Sequence, residues 1–330
     1  METKLFAWFN GSFCNPDVAT VSLMQHALHY GTGAFEGIRR VGNYVLKLPE
    51  HVSRLQNGCK TLDLPWIFPP GYFEKVILEV ARLNGGNEEI EYYRPIMWWG
   101  DGTLGVGLRG NKANYAVLPY HMGEYLGSGA KERGVDTIVS KWRSVPRWCQ
   151  PTDKVTGSYY NRFLAKQEAR NKINPVTGKG YDEAIMLFRD EKGQEWVSEG
   201  SGENIFREDY DGVIYTPTET AGILKGITRD AVIKEIGPHV GFEIKEEDFD
   251  LDSLLHSRGA FFTGTAAGIT PIKSVNNVVL GDGHPTEMTR KIMEVYDAAT
   301  SRKIPKFHHW LTAIPYVREA DIDQLVLAIS

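Results

Sequence analysis

Four glycine-flanked polar segments carry the residues best suited to chemistry: HYGTGAFEGIR (29–39), EGSGENIF (199–206), LKGITRD (224–230) and FTGTAAGITPI (262–272). Each sets small residues where a backbone can approach a ligand closely, with hydroxyls or charges beside them. That pattern is expected around a phosphorylated, planar ligand. KGITRD is the most explicit. Gly226 precedes an expected helix, so the free amides of Ile227 and Thr228 would point at an anion that the helix dipole also favours. An ordinary helix start with a threonine cap is the alternative. Other chemistries lack their fingerprints. GTGAFEG (31–37) is one residue too long for a dinucleotide-binding turn, and there is no phosphate loop, G-x-S-x-G elbow or H-E-x-x-H. The nine histidines show no metal-ligand spacing, so no metal is expected.

The elements that must position these segments mix strand and helix. A chain of 330 residues exceeds one ordinary core, which points to two domains. Strands fit 4–10, 43–48, 90–99 and 113–119, and helices fit the run from Pro49 and Tyr72–Leu83. Pro49 suits a first turn, where its missing donor costs nothing, and Asn84-Gly85-Gly86 stops the second helix. Downstream, helices fit 158–169, 227–236 and 286–300, and strands fit 183–188, 212–215 and 259–263. The glycine-rich stretch 119–131, PYHMGEYLGSGAK, reads as a linker between α+β domains over 1–118 and 132–330. A hydrophobic fraction of 42%, a charged fraction of 24% and a net charge of −5 suit a soluble enzyme and exclude a basic nucleic-acid-coating chain. No apolar run is long enough to span a bilayer, and the first ten residues read as no targeting peptide. Three scattered cysteines, Cys14, Cys59 and Cys149, suit free thiols in a reducing cytoplasm.

In this order, HYGTGAFEGIR, EHVSRL, YYRP, DKVTGSYY, GYDEAI, SEGSGENIF, GITRD and TGTAAGITPI resemble the branched-chain amino acid aminotransferases among the fold-type IV pyridoxal-phosphate enzymes. The similarity covers about residues 5–314. It implies a two-domain α+β fold of the D-amino-acid and branched-chain aminotransferase type, with the catalytic lysine in the larger C-terminal domain. It implies pyridoxal 5′-phosphate as cofactor and places the catalytic lysine at Lys154. A lysine is needed because its amine forms a Schiff base with the cofactor aldehyde and then shuttles a proton. It attacks only as the neutral amine, so desolvation and nearby positive charge are expected around it. The resemblance puts Glu199 at the pyridine nitrogen, Tyr159 at the ring hydroxyl and Leu224 against the ring. Arg54, Gly226, Ile227, Thr228 and Thr265 would take the phosphate, a forked guanidinium suiting a dianion.

The same resemblance implies transamination between leucine, isoleucine or valine and 2-oxoglutarate. One pocket must then accept an apolar side chain and a distal carboxylate in turn. Tyr30, Phe35 and Tyr92 would give it aromatic wall and Gly37 room. Arg94 would meet the distal carboxylate, and the amides of Ala266 and Ala267 the α-carboxylate. Leu104 and Val106 lie in TLGVGLRGN (103–111), which by resemblance reaches a neighbouring subunit's pocket in a homodimer or larger assembly of dimers. Neither nucleic acid nor membrane is an expected partner. The alternatives are a D-amino-acid or (R)-amine transaminase, an aminodeoxychorismate-lyase-like enzyme and, more remotely, a non-catalytic cofactor-binding scaffold. The chain departs from the family pattern at Asp153, Ser158, His121-Met122, the stretch 171–180 and the extension 315–330.

Overall fold

The structure, a computed structural model, describes residues 5–85 and 90–315. Lys4, Gly86 and the extension beyond residue 315 lie outside the described residues. Two compact units form. Among the described residues, the first runs to Gly123 and takes in Asp153–Gly157 and residues 300–315, and the second holds Glu124–Thr152 and Ser158–Ala299. The expected linker straddles the division between Gly123 and Glu124. A C-terminal domain starting at 132 and carrying Lys154 is not what the contacts give, because the Lys154 segment and residues 300–315 cluster with the first unit. Backbone pairing is the reason. The Phe35 amide donates to the Lys154 carbonyl at 3.1 Å, and a late strand, Leu311–Ala313, pairs with Tyr44–Leu46.

The first unit is an antiparallel sheet with helices against it. Its strands are β1 (Ala7–Phe9), β2 (Ser12–Cys14), β3 (Gly33–Phe35), β4 (Ile38–Val41), β5 (Tyr44–Leu46), β6 (Tyr92–Trp99) and β7 (Ala113–Tyr120). Among the described residues they run in the order Leu311–Ala313, β5, β4, β6, β7, β1, β2, with β3 also on β6. Its helices are α1 (His26–Tyr30), α2 (Leu48–Thr61) and α3 (Tyr72–Leu83). The α2 helix opens with Pro49 in its first turn and buries Leu48, His51, Val52, Leu55, Gly58 and Cys59. That spacing is the stripe a 3.6-residue turn produces. The α3 helix spans the expected residues and buries Phe73, Val76, Ile77 and Val80 in the same core. Each such apolar side chain contributes about 1.5–3 kcal/mol when fully buried.

The second unit is built on β8 (Val135–Val139), β9 (Glu183–Arg189), β10 (Glu195–Gly200), β11 (Asn204–Glu208), β12 (Ile214–Thr216), β13 (Ile244–Glu246), β14 (Gly259–Gly264), β15 (Gly268–Val275) and β16 (Val278–Val279). Their order is β10, β9, β8, β15, β14, β11, β12, β13, with β16 on β15. The β9, β11 and β14 strands are buried along almost their whole length, which suits the apolar runs of β9 and β14, while β11 buries Asn204, Arg207 and Glu208 as well. The helices that matter for the site are α4 (Ala130–Arg133), α5 (Tyr160–Asn171) and α6 (Ile227–Ala231). The expected helix over 227–236 is α-helical only to Ala231 and then widens into a π turn over Val232–Ile236. Pro238 follows and has no amide hydrogen for the carbonyl four residues back, so the regular ladder is interrupted before α-helix resumes over Gly237–Val240. Among the described residues, no helix is long and apolar enough to cross a membrane, and no group of side chains could hold a metal ion. All three cysteines are free thiols.

Candidate active site

In the first unit the Lys154 segment is stapled to the glycine motif at the end of α1. Gly31 has φ +65°, a left-handed conformation that L side chains rarely adopt, and a Cβ there would lie 2.8 Å from Gly157 Cα. The Gly157 amide donates to the Gly31 carbonyl at 2.9 Å, and Thr156 Oγ1 donates to the same carbonyl at 2.6 Å. Thr156 Oγ1 also accepts from the Gly33 amide at 3.0 Å. These bonds fix the backbone on the C-terminal side of Lys154. Its Nζ lies 4.9 Å from the Phe35 ring centroid, and the Arg94 guanidinium carbon lies 4.9 Å from the same ring. The carboxylate of Asp153, a departure from the family pattern, accepts from Thr61 Oγ1 at 2.6 Å.

Phe35, Tyr92, Gly37 and Arg94 come together. The Arg94 guanidinium lies 5.7 Å from the Tyr92 ring centroid, and its buried Nε makes no hydrogen bond. A Cβ on Gly37 would sit 1.5 Å from the Tyr92 hydroxyl. The room that Gly37 leaves is therefore filled by Tyr92, so this glycine sets the tyrosine's position. Tyr30 donates its hydroxyl hydrogen to the Leu104 carbonyl at 2.6 Å, and His26 Nε2 lies 3.0 Å from the Gly105 carbonyl. The loop 103–111 is thereby tied to α1, with Leu104 half-buried while Val106 remains 79% exposed.

Arg54 is held by a carboxylate that sequence reasoning missed. Glu36 is fully buried and accepts from Arg54 Nε at 2.6 Å and Nη2 at 2.9 Å. It also accepts from His51 Nδ1 at 2.7 Å and from the Gly37 amide at 3.1 Å. Burial pushes the Glu36 carboxyl up, but the Arg54 charge, the charge His51 takes on in acid and the hydrogen bonds from both outweigh it and hold the group well below the usual carboxylate range. His51 is pushed down chiefly by burial, against the pull of Glu36, with the charges of Arg54 and Lys154 adding to the depression. Above about pH 6.5 the ring is therefore a neutral donor. His51 and Arg54 stand three apart on one face of α2, but Glu36 lies in the short connection between β3 and β4, and nothing local pairs it with them.

The second unit brings Glu199, Leu224 and Gly226 together around Asn204. A register shift between Val197 and Glu199 in β10 re-aims the Glu199 side chain, which is buried. Asn204 Nδ2 donates to Glu199 Oε2 at 3.0 Å and to the Leu224 carbonyl at 2.9 Å, while the Leu224 amide donates to Glu199 at 3.1 Å. A Cβ on Gly226 would lie 1.9 Å from Asn204 Oδ1, so only glycine lets this amide pack there. Ile227 and Thr228 form the first turn of α6, which packs on β14. Thr265, Ala266 and Ala267 make the turn between β14 and β15. Tyr159 stands immediately before α5, 5.4 Å from the Arg162 guanidinium, and Arg162 forms a close ion pair with Glu199.

Beside this cluster Glu203 is also buried, with Oε1 unpartnered and Oε2 accepting from the Gly202 amide at 3.2 Å. Burial first, then the neighbouring Glu183 carboxylate, push it up to about 8 against the nearby Lys166 charge. Lys166 itself donates to Glu183 at 2.6 Å. The sequence singles out neither Arg162 nor Asn204, and it offers Glu203, four residues after Glu199, only as a carboxylate that could be confused with it. The i, i+3 spacing of Tyr159 and Arg162 was visible, but the partner strand was not.

The model of the amino-transferase class IV family matches residues 33–275. The branched-chain-amino-acid aminotransferase of Escherichia coli (strain K12) is 36% identical over 304 residues, covering 90% of this chain and 94% of that protein. A crystal structure of the E. coli branched-chain amino acid aminotransferase matches with a TM-score of 0.86 at 33% identity, covering 95% of this chain and 100% of that one. The branched-chain aminotransferase of the thermophilic archaeon Thermoproteus uzoniensis, with norvaline, matches with a TM-score of 0.83 at 35% identity over 94% of this chain and 99% of that one. With motifs, fold and relatives in agreement, the chain belongs to the class IV aminotransferases and has their fold-type IV architecture.

Proposed function

We propose that this chain is a branched-chain-amino-acid transaminase that uses pyridoxal 5′-phosphate to move an amino group between leucine, isoleucine or valine and 2-oxoglutarate. The observation that carries the substrate class is Arg94. Its buried, unpartnered Nε lies among the rings of Phe35 and Tyr92, a wall that suits an apolar side chain and a carboxylate in turn. The residues present also fit the cofactor. Glu199 is a fixed, buried carboxylate suited to a pyridine nitrogen, and Gly226 opens α6 without a side chain in the way of an anion. When bound, the cofactor supplies an aldehyde to carry the amino group and a ring that accepts electrons from the substrate Cα. In this assignment Lys154 Nζ would take and return the proton at that Cα, and Glu199 would accept a hydrogen bond from the ring nitrogen. Tyr159 would donate to the ring hydroxyl, and Leu224 would pack on the ring. Arg54, with its Nε and Nη2 held by Glu36, would serve the phosphate, and the resemblance gives Ile227, Thr228 and Thr265 the same role.

A panel of L- and D-amino acids and primary amines against 2-oxoglutarate and pyruvate tests the reading. L-Leucine with 2-oxoglutarate should turn over fastest, and Lys154→Ala should abolish turnover. Preference for D-amino acids or (R)-amines would transfer the chain to another branch of the family. We further assign a homodimer, or an assembly of dimers, in which Leu104 and Val106 complete a partner's pocket. Support comes from Val106 and Leu108, left 79% and 39% exposed on the tethered loop. A monomer with full leucine activity in sedimentation and kinetic assays would rule this out. Free thiols at Cys14, Cys59 and Cys149 suit a cytoplasmic setting, as does the amino-acid substrate. A pool of the protein recovered outside the cytoplasm on fractionation would contradict that placement.

A further inference from the structure

Arg162 stands in the first turn of α5, where the positive end of the helix dipole disfavours a cation. It is nevertheless turned inward, with only 13% of its side chain exposed, into a close ion pair with Glu199. Asn204 Nδ2 at 3.0 Å and the Leu224 amide at 3.1 and 3.2 Å also donate to that carboxylate, and both are neutral. The guanidinium lies 5.4 Å from the Tyr159 ring as well. One arginine thus touches both side chains assigned to the cofactor's ring nitrogen and ring hydroxyl.

The charges facing it make that contact consequential. Glu199, Glu203 and Glu183 are buried carboxylates of the same unit, and Arg162 and Lys166 face them with positive charge. Lys166 is committed to Glu183. Without Arg162, Glu199 would be a buried anion beside other carboxyls that had lost a cation at contact distance. Such a group takes up a proton more readily and becomes a poorer acceptor.

We propose that Arg162 is a positioning residue for Glu199, holding it as an anion in one orientation so that it is ready for the cofactor's ring nitrogen. The inference rests on the assignment of Glu199 to that nitrogen. Two variants test it, Arg162→Met, which removes the charge, and Arg162→Lys, which keeps charge and loses the fork. Apoprotein is titrated with pyridoxal 5′-phosphate, the bound cofactor's absorption is followed against pH, and kcat and KM for L-leucine are measured separately. Arg162→Met should weaken cofactor binding roughly tenfold or more, the range for one lost hydrogen bond to a charged group. It should also shift the pH dependence of the absorption band and lower kcat more than it raises KM. Arg162→Lys should recover part of each change and, as the milder substitution, supplies the comparison if the methionine variant does not fold. In Arg162→Met/Glu199→Gln the two losses should not add. Wild-type affinity and an unmoved absorption profile in Arg162→Met, or strictly additive losses, would overturn the proposal. Glu199→Gln alone separates the two ideas. An unimpaired Glu199→Gln sinks the assignment of Glu199, whereas an impaired Glu199→Gln beside a normal Arg162→Met sinks only the role of Arg162.

Discussion

Glu36 in the first unit and Glu203 in the second are both sealed from water, yet they rest in opposite states. Glu36 is held well below the usual carboxylate range, and Glu203 is pushed up to about 8. Burial acts on both in the same direction, so the neighbours decide. Glu36 receives a forked guanidinium, a histidine and a backbone amide. Glu203 receives one backbone amide and faces Glu183, whose lysine is already committed. A buried carboxyl is therefore a statement about partners, and in this chain it separates a locked anion from a stored proton.

The largest effect should come from breaking the locked anion. Glu36→Gln leaves the Arg54 charge buried without its carboxylate, and removing one member of such a pair costs about 3–5 kcal/mol. Urea unfolding of the apoprotein should show a lower midpoint, and cofactor affinity should fall because Arg54 loses the bonds that aim it. The pH sign follows from the depressed value. Stability from Glu36 is present above the unfolded carboxyl's 4.5 and is lost as pH falls towards the folded value, so the wild type should outlast the variant most clearly above pH 5. A variant with an unchanged midpoint would mean that Glu36 and Arg54 do not act as a pair.

The stored proton gives a smaller effect of the opposite sign. Because the folded value of Glu203 is raised from 4.5 to about 8, the fold holds a proton there that the unfolded chain has released. Stability is then highest below pH 4.5 as far as this group is concerned and declines as pH rises through about 8. Glu203→Gln, which cannot ionise, should flatten that decline and stabilise the protein near pH 8 by about 1–3 kcal/mol, the usual cost of an unsatisfied buried group. Melting temperatures of both proteins from pH 5 to 9 check this, and parallel curves would place the proton elsewhere.

The two units also differ in how much of them the sequence disclosed. Helices α2 and α3 were readable because their apolar stripes repeat at helical spacing and Pro49 and Asn84 mark ends. Strands β3 and β4 were hidden inside HYGTGAFEGIR, where glycines mask the alternation of a short strand. The π turn at Val232–Ile236 has the same composition as an α-helix and differs only in hydrogen-bond register. At the site, Lys154, Arg54 and Glu199 were reached through resemblance to a family, since one lysine in a chain looks like another. Glu36, Arg162, Asn204 and Glu203 matter through contacts with distant segments, such as Arg162 with Glu199, and no local pattern records those contacts. The attachment of Asp153–Gly157 to the first unit was equally invisible, because it rests on backbone bonds to Gly31 and Phe35.

The smallest expected effect sharpens the contrast between the units at a single histidine. His51 is buried between Glu36, Arg54 and Lys154, and its ionisation is pushed down from 6.5, first by burial. In the unfolded chain the ring takes up a proton below about pH 6.5, while in the fold that uptake is displaced to lower pH. His51 therefore lowers stability as pH falls through that value, a slope opposite to the one set by Glu203. His51→Gln keeps a donor for Glu36 but cannot titrate, so it should cost about 0.5–1.5 kcal/mol at pH 8, where one hydrogen bond is weakened. The deficit should shrink as pH falls to 5, since the wild type then bears a penalty that the variant lacks. A double variant with Glu203→Gln should show the least pH dependence between 5 and 8 of the set. If the His51→Gln deficit instead widens on acidification, the ring is charged in the fold, and Glu36 is held by two cations rather than by one cation and a neutral donor.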